Sequence, residues 1–205
     1  MTVYTSTPQE LLVNHSRFIG WARRIVVPEE CQTLVSEARH AYPGATHYTW
    51  AYRIKESLSR AFDDGEPQGT AGRPILGNLT KQNWDETFVV VIRYFGGVKL
   101  GRGGLMRAYH QAALMALNAT QAAIMVDVEH QVIQLGYAAF ERLQRHLDRL
   151  TLTWHAEFGA EVTVHVDVQQ NALDIFHSAL HQASLRTWRL LESQSLKRLI
   201  PTTPR

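Results

Sequence analysis

The feature that most constrains the fold is the continuous apolar run Thr87–Ile92, which leads directly into a glycine-rich segment. Its β-branched character predicts a strand that is buried on both faces. Five glycines fall within residues 96–104, and an apolar stripe with helical spacing then runs from Leu105 to about Thr120. The chain is therefore predicted to pass from a buried strand through a tight turn into a helix.

This arrangement can bind an anion, because glycines let backbone N–H groups approach a ligand and a helix N-terminus carries positive potential. Arg93, Lys99, Arg102 and Arg107 fall within fifteen residues that contain no acid. The segment GVKLGRGG nevertheless satisfies neither GxxxxGK[ST] nor GxGxxG. Two interpretations stay open: a surface that faces phosphate or carboxylate groups, or glycines that only permit a tight turn.

A second irregular segment, Asp63–Pro74, contains three glycines and two prolines and is predicted to be a loop. Its acidic residues, Asp63, Asp64 and Glu66, could hold a divalent cation, cap helix N-termini or pair with the arginines of the basic segment. The spacing of an EF-hand is absent, so capping and ion pairing are the favoured interpretations.

Residue types and spacing exclude several chemistries. Cys31 is the only cysteine, so neither an internal disulfide nor a thiolate zinc site can form. Among ten histidines, only His177 and His181 have the i, i+4 spacing of a helical metal site, and no HExxH motif accompanies them. His47 is the one candidate general base, and no nucleophile stands beside it. We expect no cofactor and no metal site, and a binding role is favoured over catalysis.

Composition and charge indicate a soluble globular protein of a reducing compartment. The start of the sequence lacks a signal-peptide pattern, and the longest apolar run is too short to cross a bilayer, which predicts a cytoplasmic protein without membrane partners. Residues 1–123 hold 13 basic and 10 acidic residues, whereas 124–205 hold 8 and 9. Attraction for phosphate therefore belongs to the first half.

The hydrophobic pattern predicts two domains, residues 1–123 and 124–205. The elements predicted in the first are strand Ser16–Val27, helix Pro28–Tyr42, strand His47–Ile54, helix Pro74–Gln82, strand 87–92 and helix Leu105–Thr120. The elements predicted in the second are strand Met125–Leu135, helix Phe140–Leu150, strands Thr151–Ala156 and Glu161–Val168, helix Asn171–Ala183 and strand Leu185–Glu192. This βαββαβ order is typical of a ferredoxin-like sandwich, and the tail from Lys197 is expected to fray.

The segments DDGEPQGTAGRPIL (63–76) and VVIRYFGGVKLGRGGLMRAY (90–109), with ATHYTWAY (45–52), resemble the hallmark motifs of the IMPACT family. The resemblance implies an α+β protein whose first domain has the left-handed βαβ fold of a small-subunit ribosomal protein, GHMP kinases and domain four of elongation factor G. It implies that the second half is similar to the ferredoxin-like domain five of that factor. No catalytic activity defines the family, whose eukaryotic members restrain the kinase that senses uncharged tRNA.

By position, the resemblance implies a motif surface that binds a partner, namely Asp63, Asp64, Glu66, Thr70, Gly72, Arg93, Tyr94, Phe95, Gly96, Gly97, Lys99, Gly101, Gly104, Arg107 and Tyr109. The first hypothesis is a regulatory protein that docks on RNA, the ribosome or a translation-associated protein. Its phosphate contacts would be Arg93, Lys99 and Arg107, and its stacking faces Tyr94, Phe95 or Tyr109. The second is a metal-dependent enzyme that binds phosphate at the glycine-rich turn. The third holds that both motifs are internal architecture.

Overall fold

A computed structural model describes residues 1–185 and 187–202 of the chain. These residues form an α+β protein of two compact units. The first unit comprises Met1–Ile124 with Pro201 and Thr202, and the second comprises Met125–Ile200.

The first unit is built on a five-stranded antiparallel sheet with the order β2-β3-β6-β4-β5. Its strands are β2 (Gln9–Val13), β3 (Ser16–Arg24), β4 (His47–Lys55), β5 (Leu58–Phe62) and β6 (Thr87–Tyr94). A short strand, β1 (Thr2–Thr5), pairs with residues that follow the last helix of the unit. Strand β6 lies at the centre and is buried from Thr87 to Arg93, as the apolar run predicts.

Helices cover both faces of this sheet, which explains why its central strand is apolar on both sides. The helices are α1 (Glu30–Ala41), α2 (Gly72–Lys81) and α3 (Gly101–Asn118). Val89 and Val91 belong to the core that contains residues of α2 and α3, whereas Val90 and Ile92 belong to the core that contains α1. The period of two along a strand divides the apolar run between the two cores.

The strands β3 and β4 are both antiparallel to β6, so they run parallel to each other on either side of it. Helix α1 connects them across the intervening strand, which gives the βαβ unit that the resemblance implies. On the opposite face, α3 lies very close to β3, because a methyl group at Gly20 would come within 2.3 Å of the Ala112 carbonyl oxygen.

The predicted starts of all three helices of the first unit were wrong, and helix α1 begins at Glu30 rather than Pro28. Helix α2 begins at Gly72 rather than Pro74, and α3 begins at Gly101 rather than Leu105. The predictions for α2 and α3 placed glycines outside the helix because glycine is a poor helix former, yet here glycines form the first turns. Strands β1, β2 and β5 were not predicted.

The second unit has the βαββαβ order that the sequence predicts. Its elements are β7 (Gln121–Leu135), α4 (Tyr137–Leu150), β8 (Thr153–Phe158), β9 (Val162–Gln169), α5 (Leu173–Ser184) and β10 (Trp188–Pro201), with the first residues of β7 belonging to the first unit. The strand order is β10-β7-β9-β8, as in a ferredoxin-like sandwich. The alternating valines of β9 are buried in one core cluster with residues of α4 and α5.

The prediction that the tail frays from Lys197 was wrong for the residues up to Thr202. Strand β10 continues to Pro201 and pairs with β7. Arg198 donates to the buried Asp167 at 2.8 Å, and the N–H of Thr202 donates to the Ala122 carbonyl at 2.8 Å. Residues 203–205 of the predicted tail lie outside the described residues.

Candidate functional site

The first carboxylate of the acidic loop organises the backbone around it. Asp63 accepts hydrogen bonds from the backbone N–H groups of Gly69 (2.8 Å), Ala71 (3.0 Å) and Gly72 (2.9 Å). The last two donors lie at the start of α2, where N–H groups have no partner within the helix. Asp63 therefore closes the loop and neutralises the N-terminus of α2 with the same side chain.

The second carboxylate ties the loop to β4. Asp64 has a left-handed backbone conformation (φ 45°), and its side chain accepts a hydrogen bond from the N–H of Tyr48 at 2.7 Å. The Nδ1 of His47 lies 2.6 Å from the Asp64 carbonyl oxygen, so Nδ1 must donate there. The structure thus places His47, the candidate general base, beside the acidic loop.

The third carboxylate, Glu66, lies in the interior and joins three elements. It accepts hydrogen bonds from Nη1 of Arg93 on β6 at 2.6 Å and from the hydroxyl of Tyr109 on α3 at 2.7 Å. Only 3% of the Glu66 side chain and 6% of the Arg93 side chain are exposed. Nε2 of His47 lies 3.9 Å from the same carboxylate oxygen. We call Glu66, Arg93 and Tyr109 the buried triad.

Aromatic rings and a hydroxyl complete the surroundings of the Arg93 guanidinium. Its central carbon lies 5.3 Å from the ring centroids of both Phe18 and Phe95, within the range of cation–π attraction. Nη2 donates to Ser16 at 3.3 Å. Arg93 is therefore committed to internal contacts, and the expectation that it contacts phosphate was wrong.

Burial dominates the electrostatics of the triad. Removal from water raises the pKa of Tyr109 far above its ordinary range, and both the hydrogen bond to Glu66 and the charge of Glu66 act in the same direction. The charge of Arg93 opposes this shift without reversing it. Tyr109 is fully buried and remains a neutral donor, so the expectation that its ring stacks on a base was wrong.

In the glycine-rich segment after β6, the backbone at Gly96 lies so close to neighbouring residues that no side chain fits there. A methyl group at Gly96 would lie 2.1 Å from the His15 carbonyl oxygen, and the Gly96 N–H donates to Ser16 at 3.2 Å. Gly97 and Gly101 have positive φ values of 83° and 68°, which favour glycine. The close packing and the turn account for these three glycines.

The fifteen residues of the predicted motif surface divide equally by exposure. The buried ones are Glu66, Thr70, Gly72, Arg93 and Tyr109. The half-buried ones are Asp63, Asp64, Tyr94, Gly96 and Gly104. The exposed ones are Phe95, Gly97, Lys99, Gly101 and Arg107. Solvent therefore reaches mainly the segment that leads into α3.

A cleft of about 440 Å³ lies between α2 and α3 beside these exposed residues. Its lining residues are Arg73, Pro74, Gly77, Met106, Arg107 and His110. Sequence reasoning gave little weight to Arg73 and Arg102, treated Met106 only as a mismatch to GxGxxG, and did not consider His110. A signal was present, because Arg102, Met106 and His110 recur every four residues on one helix face.

The geometry supports no catalytic site in the loop. Asp63, Asp64 and Glu66 are all used as acceptors within the unit, and within the described part of the chain no nucleophilic side chain lies against His47. Arg107 forms no ion pair with the acidic loop, contrary to one expectation.

Comparison with known proteins agrees with this architecture. The model of the Impact N-terminal domain matches residues 14–117, about half of the chain. The chain belongs to the IMPACT family. It is 42% identical over 119 residues to the IMPACT family member YvyE of Bacillus subtilis and 38% identical over 109 residues to the IMPACT family member YigZ of Escherichia coli. These matches cover 57% and 51% of this chain, and 55% and 53% of those proteins, so the chain spans about half the length of each.

A solved structure, the crystal structure of a hypothetical protein, extends the similarity to both domains. It is 25% identical, aligns with a TM-score of 0.57 and covers 93% of this chain and 95% of its own. The two-domain architecture is therefore shared along almost the whole length.

The buried ion pair of this IMPACT family chain generates a first prediction. Glu66→Ala should lower the free energy of unfolding by about 3–5 kcal/mol, because it leaves the charge of Arg93 buried without its partner. The control is Glu10→Ala, which breaks an ion pair of half-exposed residues with Arg17 and should change stability by less than about 1 kcal/mol. Urea unfolding followed by circular dichroism measures both. Equal losses would contradict the role of the triad.

The pKa of Tyr109 gives a pH-dependent prediction. The folded pKa is raised, so the stabilisation by the neutral phenol is fully present below the unfolded pKa of about 10 and is lost as the pH rises above it. Tyr109→Phe should be less stable than wild type at pH 8 by about 1 kcal/mol, for the lost hydrogen bond. The difference in stability should disappear or slightly reverse at pH 11, because the wild type loses about 1.4 kcal/mol per pH unit above 10 through this phenol and the variant does not. Urea unfolding at both pH values measures the difference, and a constant difference would refute this account.

The close approach at Gly96 gives a third prediction. Gly96→Ala should destabilise the protein by about 3 kcal/mol, because the added methyl overlaps the backbone of His15. Gly77→Ala is the matched control, since nothing lies within 4 Å of a methyl there, and it should raise stability by up to about 1 kcal/mol through helix propensity. Thermal unfolding of the two variants should therefore shift in opposite directions.

Proposed function

We propose that this chain is a binding protein linked to translation that docks on RNA, in free or ribosomal form, through the exposed basic surface at the start of α3. We define this basic surface as Arg73, Phe95, Lys99, Arg102 and Arg107. A translation-associated protein is the other partner class to be tested. The proposal places the protein in the cytoplasm.

The observation that carries the proposal is the state of the α3 N-terminus. The first turn of α3 contains no acid, and among residues 1–185 and 187–202 no side chain accepts a hydrogen bond from its first N–H groups, whereas α2 is neutralised by Asp63. Lys99, Arg102 and Arg107 are exposed around it, and none of them forms an ion pair with a carboxylate among residues 1–185 and 187–202. A helix N-terminus with three uncompensated cations favours phosphate.

The basic surface also offers an aromatic face. Phe95 has 46% of its surface exposed and follows the end of β6. Its ring is supported on one side by the Arg93 guanidinium. An exposed, held ring suits the stacking that single-stranded RNA recognition uses. Tyr94 is less suited, because its hydroxyl donates to the Pro43 carbonyl and its ring is covered by Arg17.

The family resemblance adds support of a general kind. It implies that the two domains have folds similar to domains four and five of elongation factor G, a translation factor. Fold resemblance alone does not establish function, so the proposal depends mainly on the exposed cations and on the exposed ring of Phe95.

The enzyme alternative has less support. Phosphate chemistry of the kinase type needs metal-holding carboxylates, and those of the acidic loop are occupied by backbone and side-chain donors. The cleft between α2 and α3 is lined by cations, proline, glycine, methionine and histidine, with no carboxylate. This composition suits the binding of an anionic ligand. The lining contains no carboxylate that could hold a metal ion or act as a general base on a nucleophile.

The salt dependence of RNA binding tests the proposal. Fluorescence anisotropy with labelled single-stranded and hairpin RNA should give an affinity that falls steeply with salt. Each of Lys99→Ala, Arg102→Ala and Arg107→Ala should reduce the slope of log K against log salt by about 0.7–0.9, one released counterion per lost contact. Binding without salt dependence would contradict the proposal.

A charge-matched control separates the basic surface from net charge. Lys81 is exposed at the far end of α2, and Lys81→Ala should leave the slope unchanged. Co-sedimentation with ribosomes, polysomes and free tRNA should show the same ranking of variants. Sedimentation with ribosomes but no affinity for naked RNA would favour a protein partner.

A further inference from the structure

Pairing of β8 with β9 places two histidines directly opposite each other on the second unit. His155 on β8 is the register partner of His165 on β9. Their rings are stacked, with centroids 4.3 Å apart and planes 8° from parallel. The residues on either side of His165, Val164 and Val166, belong to the core that α4 and α5 cover. The two imidazoles therefore lie on the opposite, accessible face of the sheet.

A carboxylate completes the group. Glu157 lies two residues after His155, so both side chains leave the same face of β8. Its carboxylate oxygen is 3.8 Å from Nε2 of His165. One ligand atom from each of the three side chains lies within 4.8 Å of the others. His155 and Glu157 are exposed and His165 is half-buried.

The neighbouring pair His130 and Asp167 is not part of this group, because the Asp167 carboxylate is already engaged by hydrogen bonds. Asp167 accepts hydrogen bonds from Nδ1 of His130 at 2.7 Å and from Nε of Arg198 at 2.8 Å. Glu157, in contrast, has only His165 as a basic neighbour within 4 Å in the part of the chain that the structure describes. Its carboxylate is therefore available for a cation.

We propose that His155, Glu157 and His165 form a binding site for a divalent transition-metal ion of the zinc class. Two imidazole nitrogens and one carboxylate oxygen are the ligand set of open zinc sites, in which water or an added ligand takes the fourth position. Zinc holds such atoms at about 2.0–2.2 Å, so ligand atoms around it lie roughly 3.3 Å apart. An imidazole nitrogen binds a metal ion in the plane of its ring, so the His155 ring must turn out of its stack on His165 to direct a nitrogen at a shared ion. Its exposed position, like that of Glu157, leaves room for this movement.

The helical pair singled out by spacing is a weaker metal site than this cross-strand group. His177 is 3.0 Å from the side-chain oxygen of Gln131, and His181 accepts a hydrogen bond from the Trp188 indole at 3.2 Å. Both rings are thus engaged by other side chains. The proposed site is independent of the basic surface and of RNA binding, since all its ligands belong to the second unit.

Zinc titration of the untagged full-length chain tests the site. After treatment with chelator and dialysis, isothermal titration with Zn²⁺ should show one ion bound per chain. His155→Ala and His165→Ala should each weaken binding by about tenfold or more, because loss of a direct ligand exceeds the effect of outer groups. Glu157→Gln should weaken it as well. Visible absorption of the Co²⁺ form should show the bands of a four- or five-coordinate ion and lose them in the same variants.

Matched controls test whether other histidines bind the ion and whether loss of binding reflects misfolding of the variant. His146→Ala, at an exposed position of α4, should leave the affinity unchanged, as should the double variant His177→Gln and His181→Gln. Thermal unfolding without metal should be the same for His155→Ala and wild type. The proposal is overturned if wild type binds no Zn²⁺, if His155→Ala binds it as tightly, or if the helical double variant abolishes binding.

Discussion

The carboxylate of Glu66 is held in the interior of the first domain by two donors from different elements, and the positions of several segments follow from this contact. Arg93 brings the end of β6, and Tyr109 brings the third turn of α3. A carboxylate so far from water is tolerated only with a paired charge and further hydrogen bonds. Removal of any member therefore affects the loop, the strand and the helix together.

This constraint explains how a family motif can combine structure with binding. The buried triad, Asp63 and Asp64 hold the acidic loop against β4, β6, α2 and α3. Beyond the end of β6 the chain continues outward as Phe95, Lys99 and Arg102. The contacts of the buried triad therefore fix the positions of the exposed residues that follow β6. We infer that the motif has two layers, an internal frame and a basic surface that the frame positions.

Sequence reasoning found the order of elements well, because apolar periodicity reports burial directly. The run at 87–92 and the alternating valines of β9 both behaved as predicted. Exposure of charged residues was not predictable, since Arg93 and Arg107 look alike in sequence. They differ only in their surroundings in the folded protein: Arg93 is paired with the buried Glu66, whereas Arg107 is exposed to solvent. Cross-strand neighbours such as His155 and His165 also depend on register, which no local pattern specifies.

The long sequence separations within the triad have a consequence for folding. Glu66 lies 27 residues from Arg93 and 43 from Tyr109, and Arg93 reaches Ser16 across 77 residues. Non-local contacts form only after chain entropy has been lost elsewhere. We therefore expect the loop between β5 and α2 to assemble late, when β3, β6 and α3 have already docked. An intermediate that lacks this loop would have a formed sheet, but Arg93 would lack its partner Glu66 and Arg73 would not yet lie beside α3. Its basic surface would be incomplete, so full binding would report completion of the fold.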